Sequence, residues 1–200
     1  FTRLYPGVDV KLSEGNIAYL EEKLFKGDLD LVLDNHPMDE SIYQRELFCS
    51  EQLLLAVPVS DPVCTQNRSC ALTHADILSK KHIDPLLMET FQDHTFIALR
   101  HGNDTRIQLD SLCEQAGFTP KIQLEVDQLT TAYNIVCNNI GITLVSDTLV
   151  TRTPPVSNLV YYKINSDHTK RFAYFYYKNS SYVTLAMREF IKLGIDNIQR

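Results

Sequence analysis

Residues 120–145, with the sequence PKIQLEVDQLTTAYNIVCNNIGITLV, decide how the rest of the chain is interpreted. Apolar residues alternate with polar ones over 122–126, which is typical of a strand with two different faces. Apolar residues then recur at helical spacing over 129–137, and a second apolar run follows Gly141. The stretch therefore predicts a strand, a helix and a second strand.

A similar pattern occurs near the start of the chain. Apolar residues alternate over 8–12, recur at helical spacing over 17–25, and are followed by another apolar run. The sequence separation between Pro6 and Gly27 equals that between Pro120 and Gly141 in the first stretch. The shared periodicity favours two similar half-domains, although any two strand–helix–strand units resemble each other to some degree.

The residues before the 120–145 stretch show what should precede its counterpart. Residues 95–99 predict a buried strand, 100–104 a polar turn, and 109–116 one face of a helix that ends at Gly117. By analogy, residues 1–6 are the tail of an equivalent helix. We therefore expect the first strand and most of the first helix to be absent from this chain.

Two breaks in the pattern predict crossings between half-domains. The apolar strand over 51–58 is followed by a short polar break between prolines, and a strand over 159–164 is followed by the turn 165–168. The predicted fold class is α/β with two lobes, each a small mostly parallel sheet flanked by helices, joined by two crossover strands. The predicted lobes are residues 1–60 plus 165–200 (lobe I) and 61–164 (lobe II).

Composition excludes some functions. The net charge is −6 and no run of Lys or Arg exceeds two, so this chain alone is not expected to bind nucleic acid. No apolar run is long enough for a membrane span. Of five cysteines, Cys113 and Cys137 are interpreted as core residues, while Cys64 and Cys70 are open to pairing or oxidation. A reduced, cytoplasmic protein is the simpler interpretation.

A cleft between two lobes is where small molecules usually bind. The turn after residues 95–99 is expected to open into it, with Asp104 or Thr105 capping the next helix and Arg100 or Arg106 adding positive charge. The start of that helix would favour an anion. Each of these residues also fits a capping or solvated role. The candidate ligand-binding residues are Asn35, His36, Arg100, Asn103, Asp104, Thr105, Leu129, Thr130 and Thr131.

No catalytic pattern is present in the sequence. It contains no Gly-x-Ser-x-Gly elbow, His-Glu-x-x-His pair, Cys-x-x-Cys pair or glycine-rich phosphate loop, and its six histidines lack ligand spacing. We therefore expect neither an enzyme nor a metal site, and no cofactor.

Several short motifs, in order, resemble the effector-binding domain of LysR-type transcriptional regulators over nearly the whole chain. They are Phe1-x-x-x-Tyr-Pro-Gly-Val8, Glu14-Gly15, Leu24-x-x-Gly-Asp-Leu-Asp-Leu31, the strand 52–58 followed by Asp61-Pro62, Gly117-Phe-x-Pro120, and Gly141-Ile. The resemblance implies the two-lobed fold of type 2 periplasmic binding proteins.

The resemblance also implies a role and partners. The chain would sense a small-molecule effector, pair with a second copy in a homodimer, and belong to a full-length tetramer that binds DNA only through an N-terminal winged helix-turn-helix. Effector contacts would come from the residues that match the turn 100–105, the helix start 129–131 and Asn35. Two departures matter: the first helix start is missing, and Ser146 replaces a common proline.

The mechanism expected from this resemblance is that a metabolite closes or re-angles the lobes about residues 58–62 and 164–168 and so changes the spacing of the DNA-binding heads. The main alternative is an extracytoplasmic solute-binding protein of a transporter. A two-lobed transferase or synthase is a third, but it lacks a catalytic set.

Overall fold

The computed structural model describes residues 1–198, which form two compact units. Unit 1 comprises Phe1–Ser50 and the residues from Phe172 onward, and unit 2 comprises Glu51–Arg171. Both boundaries differ from those predicted for the lobes. At the first boundary, unit 2 includes the apolar end of one long strand, where Leu54 pairs with Val145 and Lys163.

The chain alternates helices and strands, which confirms the α/β class. The helices are α1 (Ile17–Lys26), α2 (Pro62–Gln66), α3 (His74–Leu78), α4 (Asp104–Gln115), α5 (Leu129–Val136), α6 (Asp147–Arg152) and α7 (Leu185–Ile198). The strands are β1 (Val32–Asp34), β2 (Tyr43–Pro58), β3 (Thr95–Leu99), β4 (Lys121–Val126), β5 (Thr143–Ser146), β6 (Leu159–Lys163) and β7 (Lys170–Lys178).

In unit 1, β1 pairs with β7 antiparallel, and β7 lies next to β2. Helix α1 begins where the Asn16 side chain accepts a hydrogen bond from the Tyr19 N–H, and it ends at Gly27 in the left-handed conformation (φ 81°). Leu20 and Leu24 of α1 pack in a cluster with Val32 of β1. The local sequence predicts this helix and both of its ends correctly.

The predicted strand over residues 8–12 is wrong. Those residues form neither strand nor helix, and the Leu12 side chain is 89% exposed. A strand satisfies its backbone groups only through a neighbour, and within residues 1–198 no strand pairs with this segment. Alternation in the sequence describes the two faces of a segment and does not supply that neighbour.

In unit 2, β2 pairs antiparallel with β5 on one side and β6 on the other, whereas β3 and β4 are parallel. An isolated parallel bridge between Phe96 and Ile142 brings β3 beside the start of β5. The sheet is therefore mixed, and the expectation of mostly parallel sheets is wrong in this respect. An uninterrupted apolar strand indicates burial on both faces, which antiparallel neighbours allow equally well.

The buried half of β2 supplies both cores of unit 2. Leu53, Leu55 and Val57 belong to a cluster that includes the inner face of α4, while Leu54 and Ala56 belong to a second cluster with the inner face of α5. Successive strand residues point to opposite faces of a sheet, so α4 and α5 cover opposite faces.

The structure also corrects the start of the last helix. The sequence predicts that Ser180 or Ser181 caps this helix. The helix α7 begins later, at Leu185, and the Thr184 hydroxyl accepts a hydrogen bond from the Met187 N–H at 3.2 Å. No helix within residues 1–198 has the length and apolar character needed to cross a bilayer.

The five cysteines are free thiols. Burial raises the pKa of Cys113 to about 12 and also raises the pKa of Cys64 and of Cys137. A raised pKa leaves little thiolate at neutral pH, and the thiolate is the reactive form.

Candidate functional site

The parallel strands β3 and β4 end at the same edge of unit 2, and the segments that follow them are in contact. The Arg100 N–H donates to the Val126 carbonyl oxygen at 3.1 Å, and the Arg100 Nε lies 3.0 Å from Asp127 Oδ1. Helices α4 and α5 begin directly after these segments. The structure therefore brings together the predicted turn 100–105 and the predicted helix start 129–131.

Helix α4 begins with a side-chain cap. The Asn103 Oδ1 accepts from the Thr105 N–H at 2.9 Å, so Asn103 is the cap, rather than Asp104 or Thr105 as expected. Asp104 is the first helical residue, and Thr105, which follows it, is buried. Both side chains lie in the first turn, where four backbone N–H groups lack partners within the helix.

Arg171, which the sequence analysis did not single out, contacts this first turn. Its Nη1 donates to the Thr105 hydroxyl at 3.0 Å and lies 3.5 Å from Asp104 Oδ2. Its Nε donates to Glu51 Oε2 at 2.8 Å. The Arg171 and Glu51 side chains are only 14% and 12% exposed. We call Glu51, Asp104, Thr105 and Arg171 the α4 charge cluster.

The α4 charge cluster continues into a polar neighbourhood at the start of α6. The Gln52 N–H donates to Asp147 Oδ1 at 3.0 Å, and the Gln52 side-chain amide donates to the Thr169 hydroxyl at 2.7 Å. Burial raises the pKa of Asp147, and the negative charge of Glu51 raises it further, although backbone N–H donors and Arg171 act in the opposite direction. Asp147 is therefore near enough to the cluster for the charges of Glu51 and Arg171 to affect its ionisation.

Arg106, a residue of α4, links the helix to the ends of the neighbouring strands. Its side chain is 7% exposed, and its Nε donates to both carboxylate oxygens of Asp110. Its Nη1 donates to the Leu99 carbonyl oxygen at 3.1 Å and to the Glu125 carboxylate. The hydrogen bond from Arg106 lowers the pKa of Glu125. Arg106 thus joins α4 to the ends of β3 and β4 and is engaged in structural bonds.

Helix α5, unlike α4, begins without a side-chain cap. Gln128 precedes it and makes no side-chain hydrogen bond to the first turn. Leu129 is half-buried, whereas Thr130 and Thr131 are exposed. The start of α5 therefore presents two hydroxyls and the positive end of the helix dipole without a cap from its own chain.

Asn35 and His36 lie in unit 1, directly after β1. The His36 N–H donates to Asp34 Oδ1 at 2.7 Å, which gives the tight turn that ends the strand. The other seven candidate residues lie in unit 2. Within residues 1–198, no group of three or more His, Cys, Asp or Glu side chains is arranged to hold a metal ion.

Arg171 carries no local signal by which the sequence would have revealed it. It lies at the start of β7, far along the chain from Glu51 and Asp104, and only the folded chain brings the three together. Glu51 likewise carries no local signal, because in the sequence it is only the polar residue that begins an apolar strand.

Comparison with known proteins identifies a family. Residues 1–197 match the family model described as LysR substrate binding domain. The uncharacterized HTH-type transcriptional regulator YcgK of Bacillus subtilis (strain 168) is 24% identical over 201 aligned residues, which cover 100% of this chain and 61% of YcgK. The chain thus spans less than two thirds of that relative.

Solved structures agree with this match in fold. The Synechocystis PCC6803 CcmR regulatory domain in complex with 2-PG has a TM-score of 0.78 at 16% identity, over 98% of this chain and 86% of that one. The BenM effector binding domain with its effector benzoate has a TM-score of 0.69 at 19% identity, over 98% of this chain and 81% of that one. These matches give no support to the alternative of a transporter's solute-binding protein.

Proposed function

We propose that this chain, which belongs to the LysR substrate binding domain family, senses a small-molecule effector on behalf of a DNA-binding transcription regulator. The family match over residues 1–197 is the observation that carries this proposal. The relative YcgK is an HTH-type regulator, so we propose that DNA is bound by a part of the protein outside these residues. Such a regulator acts in the cytoplasm, and the role requires no catalysis.

The proposed effector site in unit 2 is formed by the starts of α4 and α5. Two features support this choice. The segments after β3 and β4 are held together by Arg100, and the start of α5 offers exposed Thr130 and Thr131 hydroxyls beside an uncapped helix end. Side chains at the carboxyl ends of parallel strands are the usual ligand contacts in α/β proteins. We propose Asn35 and His36 as further effector-binding residues.

Structures of the same fold hold small organic molecules. BenM is seen with benzoate and CcmR with 2-PG. We propose that the effector of this chain is likewise a small metabolite.

Binding measurements on the complete regulator test this function. We expect at least one metabolite to raise the melting temperature and to change the affinity for the operator DNA, because a ligand that prefers one arrangement shifts the population toward it. Replacing Thr130 and Thr131 together by Val should weaken that ligand by about tenfold or more, since two hydroxyl contacts are lost. Thr119→Val, at an exposed position before β4, is the control and should leave affinity unchanged.

If no metabolite alters the melting temperature or the affinity for operator DNA, the proposed function is wrong. If the Thr119 variant loses as much affinity for the metabolite as the double variant, the proposed site is wrong.

We also propose that the regulator self-associates through the outer surface of unit 2. Ile107 on α4 is 51% exposed and Leu124 on β4 is 44% exposed, and in the described part of the chain β4 has a strand partner on one side only. Exposed apolar side chains near an open strand edge favour pairing with another copy. Sedimentation of the complete regulator should show a dimer or tetramer that Ile107→Glu weakens and Ile140→Glu, at another exposed position of unit 2, does not.

A further inference from the structure

The first half of β2, residues 43–50, forms an open strand edge in unit 1. The second half of the strand pairs with both β5 and β6, whereas within residues 1–198 the first half has only β7 as a strand neighbour. On the side away from β7, the backbone N–H and C=O groups of this half have no sheet partner. A strand edge of this kind is a template for pairing with another strand.

The charged side chains of this edge are engaged with β7. Charged side chains on an edge often keep other strands away. Here the Arg45 guanidinium carbon lies 4.6 Å from the ring centroid of Tyr174, and Glu46 Oε1 accepts from the Tyr177 hydroxyl at 3.2 Å. Both tyrosines belong to β7. Neither charge therefore has to be displaced for a strand to pair along residues 43–50.

A groove lies beside the open edge, between β2 and α7. Its volume is about 540 Å³, which is within the range of roughly 300–1,000 Å³ typical of ligand pockets. Gln44 and Glu46 of β2 line one side of it. Its apolar lining comes from Ile191, which is 2% exposed, and from the half-buried Val183 and Ile195. We call this space the α7 groove.

Two cations on α7 lack ion-pair partners in the α7 groove. Arg188 and Lys192 are one turn apart, both are exposed, and neither forms an ion pair within residues 1–198. The groove also contains two carboxylates. Glu46 is bonded to Tyr177, and Asp196 lies one turn further along the helix. The part of the groove beside the two cations is therefore complementary to an acidic group next to an apolar one.

We propose that the α7 groove binds an extended peptide segment of a partner protein. The segment pairs with residues 43–50 as an added strand, and an acidic side chain of the segment lies near Arg188 and Lys192. Addition of a strand to an exposed sheet edge is a known mode of peptide recognition, and it satisfies the row of backbone groups that a small molecule would leave unpaired. This role goes beyond effector sensing and concerns unit 1 alone.

Selection from a library of random peptides about ten residues long, with the complete regulator as the target, tests the proposal. We expect the selected peptides to be rich in β-branched residues, because these favour strands, and to carry Asp or Glu two positions from an apolar residue, because alternate side chains share a face. Fluorescence anisotropy would measure their affinities. If no peptide is selected, or if the selected peptides are basic, the proposal is overturned.

Two methylated versions of the tightest selected peptide test strand addition. The N–H groups of a strand point alternately to its two sides, so methylating one alternate set of amides blocks only one side. We expect one version to lose at least about tenfold in affinity, since several backbone hydrogen bonds are lost, and the other to bind like the parent peptide. Equal effects of the two methylations would contradict pairing with an edge strand.

Variants of α7 test the position of the site. The double variant Arg188→Glu with Lys192→Glu should weaken the peptide by about tenfold, because attraction to its acidic residue becomes repulsion. Lys11→Glu, which changes a cation that is 87% exposed elsewhere in unit 1, is the control and should leave the affinity unchanged. Melting temperatures show whether each variant is folded. Should the double variant fail to fold, the two methylated peptides decide.

Sedimentation and effector response separate the other occupants. If the double variant changes the oligomeric state of the regulator, a second copy occupies the α7 groove and the proposal is overturned. If an effector alters operator affinity while no peptide binds, the proposed function stands and the peptide site is wrong.

Discussion

Helices α4 and α5 begin at the same edge of unit 2, after two parallel strands, and yet their first turns differ. The start of α4 is filled by its own chain, with Asn103 as a cap and Arg171 bonded to Thr105. The start of α5 has no side-chain cap, and its two threonines are exposed. The start of α4 is thus occupied by side chains of the protein, and the start of α5 is open to solvent.

This difference suggests separate roles for the two starts. A filled start has fixed geometry and fixed charges, which suits discrimination between ligands. An open start has unpaired backbone donors that a ligand would satisfy without displacing a protein group. The two arginines that follow β3 differ in the same way, since Arg106 on α4 is buried while Arg100 forms an exposed ion pair with Asp127.

The largest effect should come from removing Arg106. Arg106→Met would break the bonds to Asp110, Glu125 and the Leu99 carbonyl. We expect the free energy of unfolding to fall by about 2 kcal/mol, less than for a fully buried pair, because both carboxylates retain access to water. Urea unfolding followed by circular dichroism would measure it.

Arg100→Met is the matched control for this experiment. Arg100 is 66% exposed and its partner Asp127 is 71% exposed, so the loss should be within about 0.5 kcal/mol. If Arg106→Met and Arg100→Met lowered the free energy of unfolding equally, the two arginines would stabilise the chain equally. That result would contradict the contrast drawn between the two helix starts.

A smaller effect should distinguish the two cap positions. Asn103→Ala removes the acceptor for the Thr105 N–H and should cost about 1 kcal/mol of unfolding free energy. Gln128→Ala removes no cap hydrogen bond and should change it by less than about 0.5 kcal/mol. The same unfolding assay measures both. A Gln128 variant that loses as much stability as the Asn103 variant would mean that α5 is capped after all.

The sequence predicts well what depends on neighbouring residues. The ends of α1 at Asn16 and Gly27 follow from local rules, and the same rules favour Thr73 as the cap of α3, which the structure shows. The family-specific order of short motifs led to the fold class and the effector-binding role, which the family match confirms. These features need only a few residues close together in the chain.

The sequence fails where distant residues decide the outcome. Strand direction in the sheet of β2 depends on which strands lie beside it, and the segment 8–12 alternates without acquiring a neighbour. The charge at the start of α4 depends on Arg171 and Glu51, which come from two other strands.

The smallest effect concerns a third helix start, that of α6, where Asp147 is the first residue. Burial raises the pKa of this carboxyl group, so the folded chain holds the proton more tightly than the unfolded chain. Its stabilising contribution is therefore complete below the pKa of the unfolded chain and is lost as the pH rises through the higher folded pKa. Asp147→Asn cannot ionise, and its amide oxygen can still accept from the Gln52 and Thr148 N–H groups.

We accordingly expect Asp147→Asn to gain stability relative to the parent as the pH is raised from about 4 toward neutrality. The gain should be the smallest of the three effects, because the two backbone donors already offset part of the burial. Unfolding free energies measured at a series of pH values would show it, with Asp93→Asn as an exposed control that should follow the parent profile. Parallel profiles for the parent and Asp147→Asn would mean that Asp147 ionises normally in the folded chain.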